Sequence, residues 1–553
     1  MRHPNPRKPL SVNPTIPLLA EITDYTNDPS FVANLLLLAD LLIRVGLSLR
    51  VIMRRQRSVG VTLSWLTIVL LIPFVGAAIY LVVGENRIGS KRAKTTVELH
   101  HAYAGWRAEL REQRPRPDWT ALPTDALPIH RQAVRVSGIP ALPGNRLDLY
   151  GDSHDALSAI VADLDAADDR AHLEFYIWFD GGEVDRVADA LIRAAQRGVA
   201  CRVLVDAVGS KQFLRKSPKL KAMRTAGVEV GASLPAGLFR ALFRRLDLRN
   251  HRKLIVIDGR VGYTGSLNMI DPAVYKHEAG VGKWIDAMVR VEGPAVEALG
   301  VTFLEDWRLE TDQDLGQLGR APRPRRSESQ KLRLESSKRP HTDPHRPESH
   351  DAPYDADGTD PLPQVERQPS TGAAVQVVPS GPSLNPESIH RLLIAAIYSA
   401  RESITLTTPY FVPDESLLIA LTSAAARGVD TLIILPEQND SFLVRHASNA
   451  YLGDLLSAGV KVAKFRGGLL HTKSVTVDSH LAAFGTVNLD MRSFYLNFEL
   501  TLLIYDVAFA RQLTSLQQSY LMNCNMADLA EWEARPFRTR LLDNTARLLG
   551  PLL

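Results

Sequence analysis

The chain has 553 residues, of which 45% are hydrophobic and 23% charged. These proportions exclude a wholly disordered, collagen-like or many-span transporter chain. Two cysteines exclude a disulfide framework and a four-cysteine zinc site and fit a reduced compartment, and the formal charge of +4, from 65 basic and 61 acidic residues, is far from that of a basic nucleic-acid-binding domain. At about 150 residues per domain the length suggests three or four domains.

Residues 1–30 form a polar leader with Pro4, Pro6, Pro9, Pro14 and Pro17, and lack the charged-then-apolar start of a cleaved signal peptide. Two transmembrane helices are expected within 31–84. Ser58 to Gly84 runs 27 residues without a charge, between Arg57 and Glu85, and about 20 apolar residues suffice to cross a bilayer core. Pro73 and Gly76 are tolerable in such a span. Phe31 to Met53 is Leu-rich but carries Asp40, Arg44 and Arg50. Asp40 and Arg44 stand four apart and can pair on one helical face. This segment reads as a first span, with an interfacial or re-entrant helix as the alternative. The basic turn Arg54-Arg55-Gln56-Arg57 would put both ends on one side. Basic residues also follow the second span and open the chain, so charge alone does not choose that side.

A connector, 85–129, leads to an α/β domain over 130–311. His172 to Trp178, Cys201 to Val205 and Leu254 to Ile257 have strand character, and Val184 to Gln196 has helical periodicity ending at Arg197-Gly198. Residues 312–372 form a linker expected to be disordered. Between Ala321 and Ser370 there are nine prolines, one aromatic residue (Tyr354) and no Ile, Phe, Trp or Met, too little apolar area to offset chain entropy. A second α/β domain, with a C-terminal helical extension, occupies 373–553.

The second domain repeats the first. Arg197-Gly198-Val199 recurs as Arg427-Gly428-Val429, Ala226-Gly227-Val228 as Ala458-Gly459-Val460, Cys201 to Val205 as Thr431 to Leu435, and the aromatic strand as Ser403 to Tyr410. Both repeats carry one constellation: His251, Lys253, Asp258, then Gly265-Ser266-Leu267-Asn268; and His471, Lys473, Asp478, then Gly485-Thr486-Val487-Asn488. Histidine and asparagine are 17 positions apart in each. On a strand, His and Lys two apart share a face. Each half then offers an imidazole, a cation and neutral hydrogen-bond donors, which is half of a site for a phosphodiester.

The pattern HxK(x)4D(x)6G(S/T)xN resembles the phospholipase D superfamily. Asn250-His-Arg-Lys253, Trp284-Ile-Asp286, Arg290-Val-Glu-Gly-Pro294, Thr408-Pro-Tyr-Phe-Val-Pro413, the run Asn488 to Glu499 and Gly84-Glu85-Asn86-Arg87 are similar to the bacterial cardiolipin synthases within it. The linker is longer than the family needs, and Thr486 stands where the family usually has Ser. The resemblance implies duplicated domains, each a mixed sheet flanked by helices, forming one pseudo-twofold active site behind an N-terminal membrane hairpin. It also implies transfer through a phosphohistidine. His251 is then the nucleophile and His471 the acid and base, although the pseudo-symmetry leaves the reverse assignment open. Lys253, Lys473, Asn268 and Asn488 hold the nonbridging oxygens, with Ser266 and Thr486 as lesser phosphate contacts. Asp286 and Glu499 orient the histidines. Asp258 and Asp478 complete the two catalytic triplets but end strands, which suits a structural role. The lysines supply the charge a metal supplies elsewhere, so neither metal nor cofactor is expected.

The implied activity is a membrane-bound phosphatidyltransferase that converts two phosphatidylglycerol molecules into cardiolipin and glycerol. The alternative keeps the chemistry and changes the acceptor, as a hydrolytic phospholipase D or a transferase to another alcohol. The expected partners are phosphatidylglycerol and anionic membrane lipid, with no nucleic acid, at the cell membrane with the catalytic domains on the cytoplasmic side. The segment Gly237 to Arg249 mixes Phe239, Leu242, Phe243 and Leu246 with four arginines. It fits either an anionic membrane interface or an ordinary amphipathic helix.

Overall fold

The computed structural model describes residues 29–53, 59–85, 87–120, 122–123, 125–235, 237, 245–275, 280–313, 372–383, 387–548 and 550. Most of the polar leader, the turn at 54–57, residues 238–244 of the amphipathic segment and linker residues 314–371 lie outside these. The chain divides into a small unit, which takes in the residues up to Arg87 together with 238–246, and a large one holding the rest.

In the small unit, helix Pro29–Met53 forms as the Leu-rich pattern suggests, and Asp40 pairs with Arg44 at 2.6 Å. The second expected span is not one helix. It runs Val59–Leu71, bends at 72–74, resumes at Val75–Ile79 and ends in a wide turn at Tyr80–Gly84. The break falls at Pro73, which has no N–H to donate and whose ring clashes with the preceding turn. Phe74 takes a left-handed conformation (φ 49°), and its N–H donates to Asp40 Oδ1 at 3.1 Å. Pro73, expected to be tolerated within one continuous span, instead ends the first helical segment. Among the described residues no helix is long and apolar enough to cross a membrane.

The large unit is built on one sheet. Its first half contributes β1 (Leu142–Tyr150), β2 (Arg170–Phe175), β3 (Ala200–Asp206), β4 (Glu229–Ser233), β5 (Leu254–Ile257), β6 (Val261–Gly265) and β7 (Met288–Glu292). The second half contributes β8 (Ala373–Ser380), β9 (Ser403–Thr407), β10 (Asp430–Pro436), β11 (Lys461–Phe465), β12 (Ser474–Val477), β13 (Leu481–Gly485), β14 (Asn497–Tyr505) and an edge strand, β15 (Cys524–Met526). From the centre outwards the orders are β1-β7-β6-β5-β2-β3-β4 and β8-β14-β13-β12-β9-β10-β11-β15. In each half three strands are parallel and the rest antiparallel. The equivalent strands β1 and β8 join the halves antiparallel, Leu142 opposite Val375. Matching orders meeting through equivalent strands make a pseudo-twofold arrangement.

Each half has its own apolar core, and a third lies across the join, where Val289, Val291 and Trp307 meet Val375, Val377, Leu502 and Phe509. Burying core-sized side chains at about 1.5–3 kcal/mol each makes this join part of the fold. Helix Ala126–Ser137 precedes β1 yet sends Ile129 and Ala133 into the core of the second half.

Candidate active site

Each histidine is fixed by the opposite half. Arg249–Asn250 pairs in parallel with the start of β14, and the His251 N–H donates to Phe498 O at 2.8 Å. Leu469–Leu470 pairs in parallel with Trp284–Ile285, and the His471 N–H donates to Ile285 O at 2.8 Å. The side chains follow the same exchange. His251 Nδ1 lies 2.9 Å from both oxygens of Glu499, and His471 Nδ1 lies 2.6 Å from Asp286 Oδ1. A carboxylate on Nδ1–H leaves Nε2 as the ring nitrogen free to attack or accept a proton.

Both lysines are buried and turn back onto their own histidines: Lys253 Nζ donates to His251 O at 2.8 Å and Lys473 Nζ to His471 O at 2.5 Å. Gly265 and Gly485 let the returning strands come close, since a Cβ there would stand 2.4 Å from Ala287 O and 2.2 Å from Leu500 O. The next residues use that approach. Ser266 Oγ accepts from Ala287 N and Thr486 Oγ1 from Leu500 N, and the Thr486 hydroxyl also donates to Glu499. Ser266 and Thr486 thus brace the segments carrying the two carboxylates. Asn268 Oδ1 accepts from Ile177 N at 3.1 Å, while its buried Nδ2 has no partner; the buried Asn488 Oδ1 likewise has none.

Asp258 and Asp478 are elsewhere. Both end their strands in left-handed turns (φ 52° and 47°). Asp258 accepts from the N–H groups of Asp168, Asp169 and Arg170, and Asp478 from those of Arg401, Glu402 and Ser403. They tie the histidine strand of each half to its neighbour, at the end away from the histidines.

Burial sets the electrostatics. It pushes both imidazoles down to about 4, against the pull of their carboxylates and with help from the lysines. It lowers Lys253 to about 8 and Lys473 well below the usual lysine range. Burial would raise Asp286, but His471 and Lys473 outweigh it and hold its carboxyl below the ordinary value. Both imidazoles are therefore held neutral beside two buried lysines. A phosphodiester would favour their charged forms and draw a proton onto one ring.

The family model described as cardiolipin synthase, PLD-like domain, matches residues 160–296 and 393–520, and a phospholipase D-nuclease N-terminal model matches 33–85. The chain is 40% identical over 513 residues to cardiolipin synthase A of Pectobacterium atrosepticum, covering 93% of this chain and 96% of that one. It is 41% identical over 512 residues to cardiolipin synthase A of Yersinia pseudotuberculosis, with the same coverage. The chain belongs to the bacterial cardiolipin synthase family of the phospholipase D superfamily. Its fold is shared with phosphatidylserine synthase of Haemophilus influenzae (TM-score 0.54, 16% identity, covering 77% of this chain and all of that one).

The structure also brings to this cardiolipin synthase-family site residues that sequence reasoning left without a role. The Tyr176 ring stands edge-on to His251 at 5.0 Å, and Trp284 lies 4.5 Å from His471. The Tyr410 hydroxyl donates to Asp440 Oδ1 at 2.7 Å. Behind His251, Arg252 is buried against Asp306, its Nε donates to Glu499 O at 3.0 Å, and Asn250 Nδ2 donates to Glu174. Asn250 and Arg252 flank a motif histidine and Tyr410 sits in the Thr-Pro-Tyr run, so a signal existed. Their partners lie 30 to 247 residues away, where no local pattern reaches.

Proposed function

We propose that the chain transfers a phosphatidyl group from one phosphatidylglycerol to a second, forming cardiolipin and releasing glycerol through a phosphohistidine. The observation that carries this reading is the crossed pair of His–carboxylate contacts, which joins two half-sites into one centre. His251 Nε2 attacks phosphorus and the bond to the glycerol oxygen breaks. His471, protonated once the anionic diester is bound, gives its proton to that oxygen. His471 then takes the proton from the free hydroxyl of a second phosphatidylglycerol. That oxygen attacks phosphorus and the P–N bond breaks, restoring His251. Lys253, Lys473, Asn268 and Asn488 stabilise the nonbridging oxygens, Glu499 and Asp286 position the rings, and Asp258 and Asp478 act structurally.

Transfer has to outrun hydrolysis, and the burial of the histidines and lysines under Trp284 and Tyr176 favours that. Helix Pro29–Met53 exposes Leu35, Leu36, Leu37, Leu38, Leu41 and Leu42, a surface suited to lipid. In this reading the N-terminal segment lies in the cell membrane and the catalytic body faces the cytoplasm. The test is mass spectrometry of lipids and glycerol after incubating the full chain with phosphatidylglycerol in detergent. Cardiolipin and glycerol in equal amounts are expected. Phosphatidic acid as the main product, or no glycerol release, rejects the transferase.

A further inference from the structure

The helix Phe537–Leu548 has two opposite faces. One packs inwards through buried Asp543 and Ala546, with Asp543 Oδ1 2.7 Å from His446 Nδ1. The other carries Phe537, Leu541 and Leu548, which are 70%, 54% and 76% exposed. At helical spacing these three form one stripe along the whole helix, pointing away from the body. Exposed Arg538 and Arg540 flank it. The helix runs parallel to Phe442–Ser457, since His446 meets Asp543 while Tyr451 and Asp454 meet Arg547. Phe537 and the exposed Phe442 therefore lie at the same end.

That end belongs to the catalytic centre. Phe442 follows a loop in which Asp440 holds Tyr410 and Asn439 Nδ2 donates to Pro409 O, next to the Thr408 hydroxyl that accepts from Leu489 N. In the first half the equivalent loop after β3 places Ser210 Oγ on Tyr176 O, beside His251. It leads into helices Lys211–Lys216 and Pro218–Thr225. From 211 to 225 there are six basic residues and no acidic one, and Lys211, Arg215, Lys216, Lys221 and Arg224 are exposed. A pseudo-twofold axis through the site keeps equivalent loops at one height, so Phe442, the Phe537 end of the stripe and the start of the basic helices share the active-site end, while Leu548 lies towards the opposite end of the sheet.

We propose that this face of the catalytic body docks on an anionic phospholipid bilayer. Phe442, Phe537 and, one turn further along, Leu541 enter the acyl boundary, and the arginines and lysines meet the headgroup phosphates. The proposal rests on the phosphatidyltransferase reading, because an anionic lipid substrate gives the basic flank its partner. It is tested on the full chain in lipid nanodiscs, in a Cys524→Ser background, with an environment-sensitive fluorophore at Leu541→Cys. The control label is at Arg260→Cys, in the turn beside Asp258 at the far end of the sheet. Nitroxide-bearing lipid in phosphatidylglycerol discs should quench the label at 541 several-fold more than that at 260. Equal quenching overturns the proposal. So does a label at 541 that is shielded only as protein concentration rises without lipid, which would make the face a contact between copies. The double variant Phe537→Asp, Leu541→Asp should lose about tenfold in kcat/KM on vesicle phosphatidylglycerol, as expected when two apolar side chains no longer enter lipid. It should keep its rate on a short-chain, monomerically dissolved phosphatidylglycerol, and equal losses on both substrates overturn the docking role. If the unsubstituted chain makes no cardiolipin from the short-chain lipid, the transferase reading fails, while the quenching still decides the docking.

Discussion

The two halves present the same groups at the shared centre and different backs to the protein. In front, each offers a histidine on a carboxylate, a buried lysine and an asparagine. Behind His251 the support is ionic: Arg252 on Asp306, with Glu174, its carboxyl raised well above the ordinary range by burial, on Asn250. Behind His471 it is neutral: the Thr472 hydroxyl lies 3.0 Å from Tyr520 Oη, and Gln517 bridges Thr476 and Ser474. A tetrahedral phosphorus flanked by two alcohols imposes symmetry on the groups that touch it and none on what holds them. The halves have diverged where chemistry leaves them free.

The largest test of the shared face is removal of either ring. His251→Ala and His471→Ala should each lower kcat by about 10⁴-fold or more, since nucleophile and proton carrier are both required. A loss confined to one variant in a phosphatidylglycerol turnover assay would show that the halves are not equivalent in front. Next come the crossed carboxylates. Glu499→Gln and Asp286→Asn should each cost roughly 10³-fold in kcat by releasing the ring tautomer, with little change in KM. Unequal losses would show which half carries the more demanding step.

The backs should separate in stability. Arg252→Met strands Asp306 in the interior and should cost about 3–5 kcal/mol. Thr472→Val removes one neutral hydroxyl pair and should cost about 1 kcal/mol. Thermal denaturation of the two proteins in the same detergent compares them, and equal costs would erase the distinction drawn here. The smallest effect is in the pH profile. With both imidazoles depressed to about 4, kcat/KM should persist well below pH 6.5 and fall as the resting nucleophile protonates near 4. It should fall again at higher pH as the two buried lysines, Lys253 at about 8 and Lys473 with it, lose their charge.

What could be read in advance was what repeats locally. The spacing from His251 to Asn268 recurs from His471 to Asn488, and the strands around both form where their apolar runs stand. The crossing was not legible: Asp286 and Glu499 were candidates, yet which histidine each serves depends on chain segments 185 and 248 residues apart meeting at the pseudo-twofold axis. Arg252 and Asp306 are separated by 54 residues and carry no periodic signal. In the N-terminal unit, Pro73 is tolerable in a membrane helix on general grounds, and whether it kinks or ends one depends on local contacts such as Phe74 N–H on Asp40, 34 residues away, which no local pattern shows.

The central claim is a single transfer centre assembled from both halves, with His251 receiving the phosphatidyl group and His471 handling protons. The most direct measurement is covalent trapping. The His471→Ala and His251→Ala proteins are incubated with phosphorus-labelled phosphatidylglycerol, quenched in cold alkaline detergent to preserve the P–N bond, and mapped by peptide mass spectrometry. The account predicts a phosphatidyl adduct on His251 in the His471→Ala protein and none in the His251→Ala protein. An adduct on His471 in the His251→Ala protein would contradict it.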